Sequence, residues 1–232
     1  MNSSKLLVLN NLCVWYTMGK PVLDRFSVEL KANEIVGLIG LNGAGKTTLF
    51  KTLSGLLDRF QLEAALWQDK AFSFRDIGFK KDRYVVFAED HSFPFFTFRE
   101  YASYVAASYG KKLSNVDELV QGFHFEEYTD ILLKELSTGN LKKAYLITAF
   151  ALKPKLLMLD EPANGLDFQS TEYLYQRMND YRQYGTILFS SHILESICLT
   201  SDRVLILEQG QIRKSFAGQE IEAGKIREVL QT

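Results

Sequence analysis

The sequence predicts an α/β fold built on a largely parallel, doubly wound sheet. Short apolar runs of strand length recur along the 232 residues at 35–39, 84–88, 156–159, 186–189 and 204–207. Helical stretches separate these runs, and strands alternating with helices form parallel sheets closed by crossover connections. The chain is 47% hydrophobic and 24% charged, with four prolines, no internal repeat and no low-complexity linker, so 1–232 reads as a single domain with a full core.

Taken in order, residues 6–12 and 26–30 alternate or run apolar as strands do, and Met18, Gly19, Lys20 and Pro21 supply a turn between them. Residues 35–39 (IVGLI) suit a strand buried on both faces, ending at Gly40. A helix follows, with Leu49, Leu53, Leu56 and Leu57 on one face. Residues 84–88 (YVVFA) form the next core strand. A mixed, helical, Tyr- and Phe-rich stretch covers 99–136, and helices at 140–152 and 170–184 precede the strands at 156–159 and 186–189. The region at about 89–152 therefore reads as a helical lobe inserted into the sheet.

Composition excludes several classes. The net charge is −1 and no run of Lys or Arg exceeds two, which leaves no electrostatic footprint for nucleic acid. The longest uncharged apolar stretch, 144–152, is far short of the ~20 residues a membrane helix needs. Residues 1–9 lack the pattern of a secretory signal. Cys13 and Cys198 have no metal or redox spacing and read as small hydrophobes of a reducing cytosol.

Residues Gly40, Leu41, Asn42, Gly43, Ala44, Gly45, Lys46 and Thr47, with Thr48 beside them, fit the phosphate-loop pattern G-x-x-x-x-G-K-[ST] between a strand and a helix. Glycines let consecutive backbone N–H groups turn toward an anion, and the helix start adds its positive dipole end. Lys46 suits the β- and γ-phosphates of ATP, and the Thr47 hydroxyl suits Mg²⁺. The pattern arises by chance on the order of once in a hundred chains of this length, which leaves an ordinary glycine turn as the weaker reading. Asp160 and Glu161 end the apolar run at 156–159, at the sheet edge where ligands of α/β folds collect. Asp160 suits the hydrated Mg²⁺ and Glu161 the attacking water. An acidic pair ending a strand is often only a solvated turn; the phosphate loop upstream favours the functional reading.

At this point the sequence resembles the ABC ATPase family over nearly its whole length. Leu136, Ser137, Thr138, Gly139 and Asn140 are similar to that family's LSGGQ signature, and they stand in the family's order between the phosphate loop and the acidic pair. The resemblance implies a P-loop NTPase with a mostly parallel core sheet, an N-terminal antiparallel β region and the inserted helical lobe. It implies that Ser137, Gly139 and Asn140 of one subunit cap the γ-phosphate held by another. It also makes Tyr16 the aromatic that stacks on adenine, Asp167 part of the loop that crosses the dimer interface, and His192 the switch histidine that contacts the γ-phosphate. His91 and His124 match no motif.

Three departures from the family pattern stand out. Glu89, or Asp90 if the loop is one residue longer, stands where the family has a metal-contacting Gln. A carboxylate there still ligates metal, but it adds negative charge that slows or retunes turnover. Thr138 replaces the first signature glycine, so that position should not need positive φ. Asn140 replaces the signature Gln with a shorter amide.

The resemblance implies an ATP hydrolase that works as the ATP- and Mg²⁺-binding subunit of a transporter. It would pair with a second copy or a related subunit and dock on a separate membrane permease, peripheral on the cytoplasmic face. The aromatic stretch at 93–104 lies where the family receives the permease. The expectation that no regulatory domain follows Thr232 disfavours importers that carry one, and the resemblance leans to export-type systems. The alternative is a soluble, non-transport ABC ATPase such as an iron–sulfur assembly type.

Overall fold

In the computed structural model, which describes residues 4–231, the apolar runs become neighbouring strands of one sheet. Met1–Ser3 and Thr232, on which the readings of the two chain ends partly rest, lie outside the described residues. Along the chain the elements are β1 (Lys5–Thr17), β2 (Lys20–Lys31), β3 (Ile35–Ile39), α1 (Lys46–Leu53), β4 (Phe60–Gln61), β5 (Ala64–Trp67), β6 (Lys70–Ala71), α2 (Ile77–Asp82) and β7 (Arg83–Val86). There follow α3 (Phe98–Tyr109), α4 (Val116–Gly122), 3₁₀ turns at Glu126–Tyr128 and Leu133–Glu135, and α5 (Thr138–Leu152). The chain continues through β8 (Leu156–Asp160), α6 (Phe168–Asp180), β9 (Thr186–Ser190), α7 (Leu194–Thr200), β10 (Arg203–Glu208), β11 (Gln211–Ala217) and α8 (Ala223–Gln231).

The six-stranded sheet has the order β11-β10-β3-β9-β8-β7, parallel throughout except for β11. Its strands show why they read as unbroken apolar runs. Successive side chains point to opposite faces, and both faces are covered. Ile35, Ile39, Leu157, Leu159, Ile187, Phe189, Val204 and Ile206 join the core under the helices. Val36, Leu38, Leu156, Met158, Leu188, Leu205 and Leu207 join a second core with α1 and the N-terminal strands. That second layer is antiparallel, β2-β1-β5-β6, with β4 also on β1. Gly37 in the middle of β3 admits α7: a Cβ there would lie 2.5 Å from Ser201 Oγ and 2.8 Å from Ile197 Cδ1.

Between β7 and β8 every described element is helical. These helices do not make a core of their own. Phe98, Tyr101, Val105, Leu119, Phe123 and Phe125 pack into the same buried cluster as Ile35 and Leu157. Thr97 and Glu100 start α3 with a reciprocal capping box, and Ser137 caps α5 by accepting from the Asn140 N–H at 3.2 Å. Thr138 is the first residue of α5 and is absent from the residues with positive φ, as expected for a Thr replacing glycine.

Several boundaries differ from the sequence reading. The helix expected to reach Leu57 ends at Leu53. Gly55 takes φ 74°, Leu56 N–H bonds back to Lys51 O, and Leu56 is left 65% exposed rather than on a helix face. The strand expected at 84–88 stops at Val86, because a lysine of α5 takes the carbonyls of Phe87 and Ala88. The two-residue strands β4 and β6, and the largely exposed β11, carried no apolar period to read.

Candidate functional site

The site lies at the C-terminal edge of the parallel strands. The register pairs Asp160 with Ser190 across β8 and β9, and Ile35 through Leu38 of β3 run beside β9, so the loop after β3 meets the acids after β8. Gly40 must lack a side chain, since a Cβ would lie 2.3 Å from Leu207 O. Gly45 holds φ 113°, a conformation open to glycine, with its α-carbon against Leu23. α1 starts directly after it at Lys46. Lys46 is buried, and its Nζ donates to Gly40 O at 2.7 Å and Leu41 O at 3.4 Å across the loop.

A cavity of about 400 Å³ is lined by Tyr16, Asn42, Gly43, Gly45, Lys46, Thr47, Thr48, Asp160 and Glu161. The structure thus gathers most of the expected nucleotide residues in one place. Tyr16 is half exposed, with its hydroxyl 3.4 Å from Thr48 Oγ1. Leu41 and Ala44 face away, into a separate pocket beside β10 and α8.

The acids are held by two hydroxyls. Thr47 Oγ1 donates to Asp160 Oδ2 at 2.7 Å, and Ser190 Oγ donates to Asp160 Oδ1 at 2.6 Å. Ser190 Oγ also accepts the Glu161 N–H at 3.0 Å. Glu161 adopts φ 49°, a left-handed backbone uncommon for a non-glycine residue, which re-aims its side chain at the strand end. Its Oε2 lies 2.8 Å from His192 Nδ1 and accepts the His192 N–H at 3.3 Å. Because a carboxylate only accepts, Nδ1 carries the proton in this contact.

The remaining residues fall outside the cavity. Glu89 is exposed, Asp90 accepts the Ser92 N–H at 2.8 Å, and neither lines the cavity. Ser137 is exposed at the head of α5, and Gly139 sits against the backbone of Gly165, where a Cβ would lie 2.3 Å from the carbonyl oxygen. Asp167 caps α6 through Ser170 and pairs with Lys143 at 2.7 Å; the Lys143 ammonium and the Ser170 N–H hold its carboxyl well below the usual range. Of the aromatics at 93–104, Phe93, Phe96, Tyr101 and Tyr104 stack on one another and Phe95 projects outward.

Sequence reasoning missed Ser190, Lys142 and Lys143. The only signal for Ser190 was its place at the end of a core strand. No motif singled out the two lysines, and both are 5% exposed.

The donor set fits a magnesium nucleotide. Among the described residues no group of three or more His, Cys, Asp or Glu is placed to hold a metal alone. Mg²⁺ is usually held by one or two protein oxygens with substrate phosphates and water, and the Thr47–Asp160 pair beside the glycine loop offers that arrangement.

Comparison with known proteins agrees with this geometry. The family model described as "ABC transporter" matches residues 23–164. AlbC, a putative ABC transporter ATP-binding protein of Bacillus subtilis, is 37% identical over 223 residues, covering 90% of each chain. EcsA of the same organism, an ABC-type transporter ATP-binding protein, is 32% identical over 90% of this chain and 85% of its own. The solved structure of an ATP-binding subunit of an ABC transporter superposes with a TM-score of 0.81 at 26% identity, covering 91% of this chain and 90% of that one. Phosphate loop, acid-bearing strand, sheet order and these likenesses converge: the chain belongs to the ABC transporter family as an ATP-binding subunit, and it is an ATP hydrolase.

Proposed function

We propose that two copies of this chain, or this chain and a related subunit, close face to face around MgATP and that closure drives a separate membrane permease. The observation that carries this reading is a site that is half built. One flank has Lys46, Thr47, Asp160 and Glu161 lining a cavity, with His192 against Glu161, while Ser137 and Gly139, two anion-binding donors by resemblance, do not line it and lie at the head of α5. A second copy supplies the missing flank. Phe168, 76% exposed beside the Asp167 loop, is apolar surface for that partner.

In this reading Lys46 and the loop N–H groups hold the phosphates, and Tyr16 stacks on the base. Thr47 and Asp160 would hold Mg²⁺, which would supply positive charge against the phosphates. Glu161 orients the attacking water, and His192 keeps its carboxylate aimed. Catalysis is then positioning and electrostatics, without a covalent protein intermediate.

A groove of about 460 Å³ between the sheet and the helical insertion supports docking on a permease. It is lined by Ser54, Leu56, Ile77, Lys80, Arg83 and Tyr109 among others, with Leu56 and Ile77 largely exposed. No described helix is long and apolar enough to cross a membrane, so a spanning part would come from the partner. We favour an export-type system on the cytoplasmic face of the membrane, on the same resemblance, with the substrate selected by the permease.

Phosphate release with MgATP tests the site. Wild type should turn over, Glu161→Gln should bind ATP and release phosphate at least about a hundredfold more slowly, and Lys46→Ala should lose tight ATP binding. Wild-type release no faster than that of Glu161→Gln with ATP bound would refute the assignment. Affinity capture from detergent-solubilised membranes tests the partner: a stoichiometric multi-spanning protein supports the transporter reading, and recovery with soluble partners alone sinks it.

A further inference from the structure

Helix α5 carries two side chains, one turn apart, that grip the segment leaving β7. Lys142 Nζ donates to Phe87 O at 2.6 Å and to Ala88 O at 2.8 Å, and the Tyr145 hydroxyl donates to Ser92 O at 2.8 Å. Lys142 is 5% exposed, and an ammonium buried against neutral carbonyls alone is unfavourable. The sheet register supplies its counter-charges. Val86 pairs with Leu159, so residues 87 and 88 leave β7 beside Asp160 and Glu161, and Glu89 and Asp90 follow directly. Burial pushes the Lys142 ammonium down, while Asp160, Asp90, Glu161 and Glu89 raise it, in that order.

We propose that Lys142 is a positioning cation of the ATPase site, which locks segment 87–92 to helix α5 and balances the carboxylates of the sheet edge, Glu89 included. The inference rests on the assignment of Asp160 and Glu161 above. Lys142 does not line the nucleotide cavity, so it acts through the groups it holds. Two consequences follow. A carboxylate at position 89 is tolerated because it directly follows the two carbonyls that the Lys142 ammonium holds. And the loop bearing Glu89 and Asp90 travels with α5, whose cap is Ser137 and whose first turn holds Gly139 and Asn140, so each copy's signature end and its own 89–92 loop move as one body.

The test compares Lys142→Gln, which keeps a donor but drops the charge, with Lys142→Arg, each in the Glu89 and Glu89→Gln backgrounds. Two quantities are read: hydrogen exchange of the amides at 87–92 in nucleotide-free protein, and kcat and KM for ATP. Lys142→Gln should speed exchange there and lower kcat on the order of tenfold, with KM changed less than about threefold. Lys142→Arg should recover both, and Glu89→Gln should recover part of the kcat lost in Lys142→Gln, as coupled charges do in a double-mutant cycle. Wild-type exchange and kcat in Lys142→Gln would overturn the proposal. Equal impairment in Lys142→Gln and Lys142→Arg, with no recovery from Glu89→Gln, would reduce Lys142 to packing and overturn it as well. Failure of the site assignment itself would appear separately, as unimpaired phosphate release in Glu161→Gln, whatever the exchange result.

Discussion

Asp167 joins three parts of the molecule, and its removal can be worked out from the contacts. Its Oδ1 accepts the Ser170 N–H at 2.8 Å, capping α6, and its Oδ2 accepts from Lys143 of α5 at 2.7 Å and from Ser170 Oγ at 2.9 Å. The lysine side chain is 7% exposed and the aspartate 54%. Asp167→Asn keeps a good cap through Oδ1 but loses the anion and the Oδ2 acceptor of Lys143 and Ser170 Oγ. Asp167→Ala removes the cap as well. A lost cap costs about 1 kcal/mol. A lost charge-assisted hydrogen bond costs about 1.5–3 kcal/mol, taken here at its lower end because the carboxylate is half in solvent. The expected losses at pH 7 are therefore about 1.5 kcal/mol for Asn and about 2.5 kcal/mol for Ala. Because the Asp167 carboxyl is held well below its usual range, the folded protein keeps the anion after the unfolded chain has taken up a proton. Its contribution is complete above about pH 4 and drains away as pH falls further. Urea unfolding of wild type, Asp167→Asn and Asp167→Ala from pH 7 to pH 3 measures this. The gap between wild type and Asn should start to narrow below about pH 4 and shrink steadily towards pH 3, while the gap between Asn and Ala persists. A wild-type-to-Asn gap independent of pH, or Asn as stable as wild type at pH 7, would show that the Asp167–Lys143 pair does not stabilise the fold.

Other perturbations have equally definite outcomes. Gly139→Ala places a methyl group 2.3 Å from Gly165 O, so the first turn of α5 must leave the Asp167 loop; steady-state ATPase should fall about tenfold while ATP binding to the isolated subunit, followed by fluorescence, is retained. Arg83→Met strips donors from Phe74 O and Ser54 O and removes a guanidinium 4.5 Å from the Phe79 ring centre; denaturant titration should show a loss of about 2–4 kcal/mol. His192→Ala frees the Glu161 carboxylate, and kcat should drop at least about tenfold with little change in KM. Leu56→Glu with Ile77→Glu alters only the exposed lips of the second groove, so basal ATPase should persist while co-purification with a membrane partner is lost.

Much of this molecule could be read without coordinates. The five core strands announce themselves because a strand covered on both faces must be apolar at every position, and the phosphate loop because only glycines allow its backbone path. The acids at 160 and 161 were legible for a related reason: charge directly after an apolar run marks where a buried strand reaches solvent. These are local demands, met by neighbouring residues, and a linear chain displays them. What depended on long-range packing stayed hidden. Nothing in 84–88 tells that the strand stops at Val86, since the cause is an ammonium fifty-five residues away in sequence. The left-handed backbone of Glu161, the Ser190 hydroxyl that holds both Asp160 and the Glu161 N–H, and the burial of Lys142 and Lys143 in an apparently ordinary helix are also products of tertiary contact. By itself the sequence determined which chemistry the chain carries and the order of its core strands and helices along the chain. Only the folded structure decided which charges face one another, because the energy of a buried charge depends on its partners and their distance, and those are set by the meeting of distant segments.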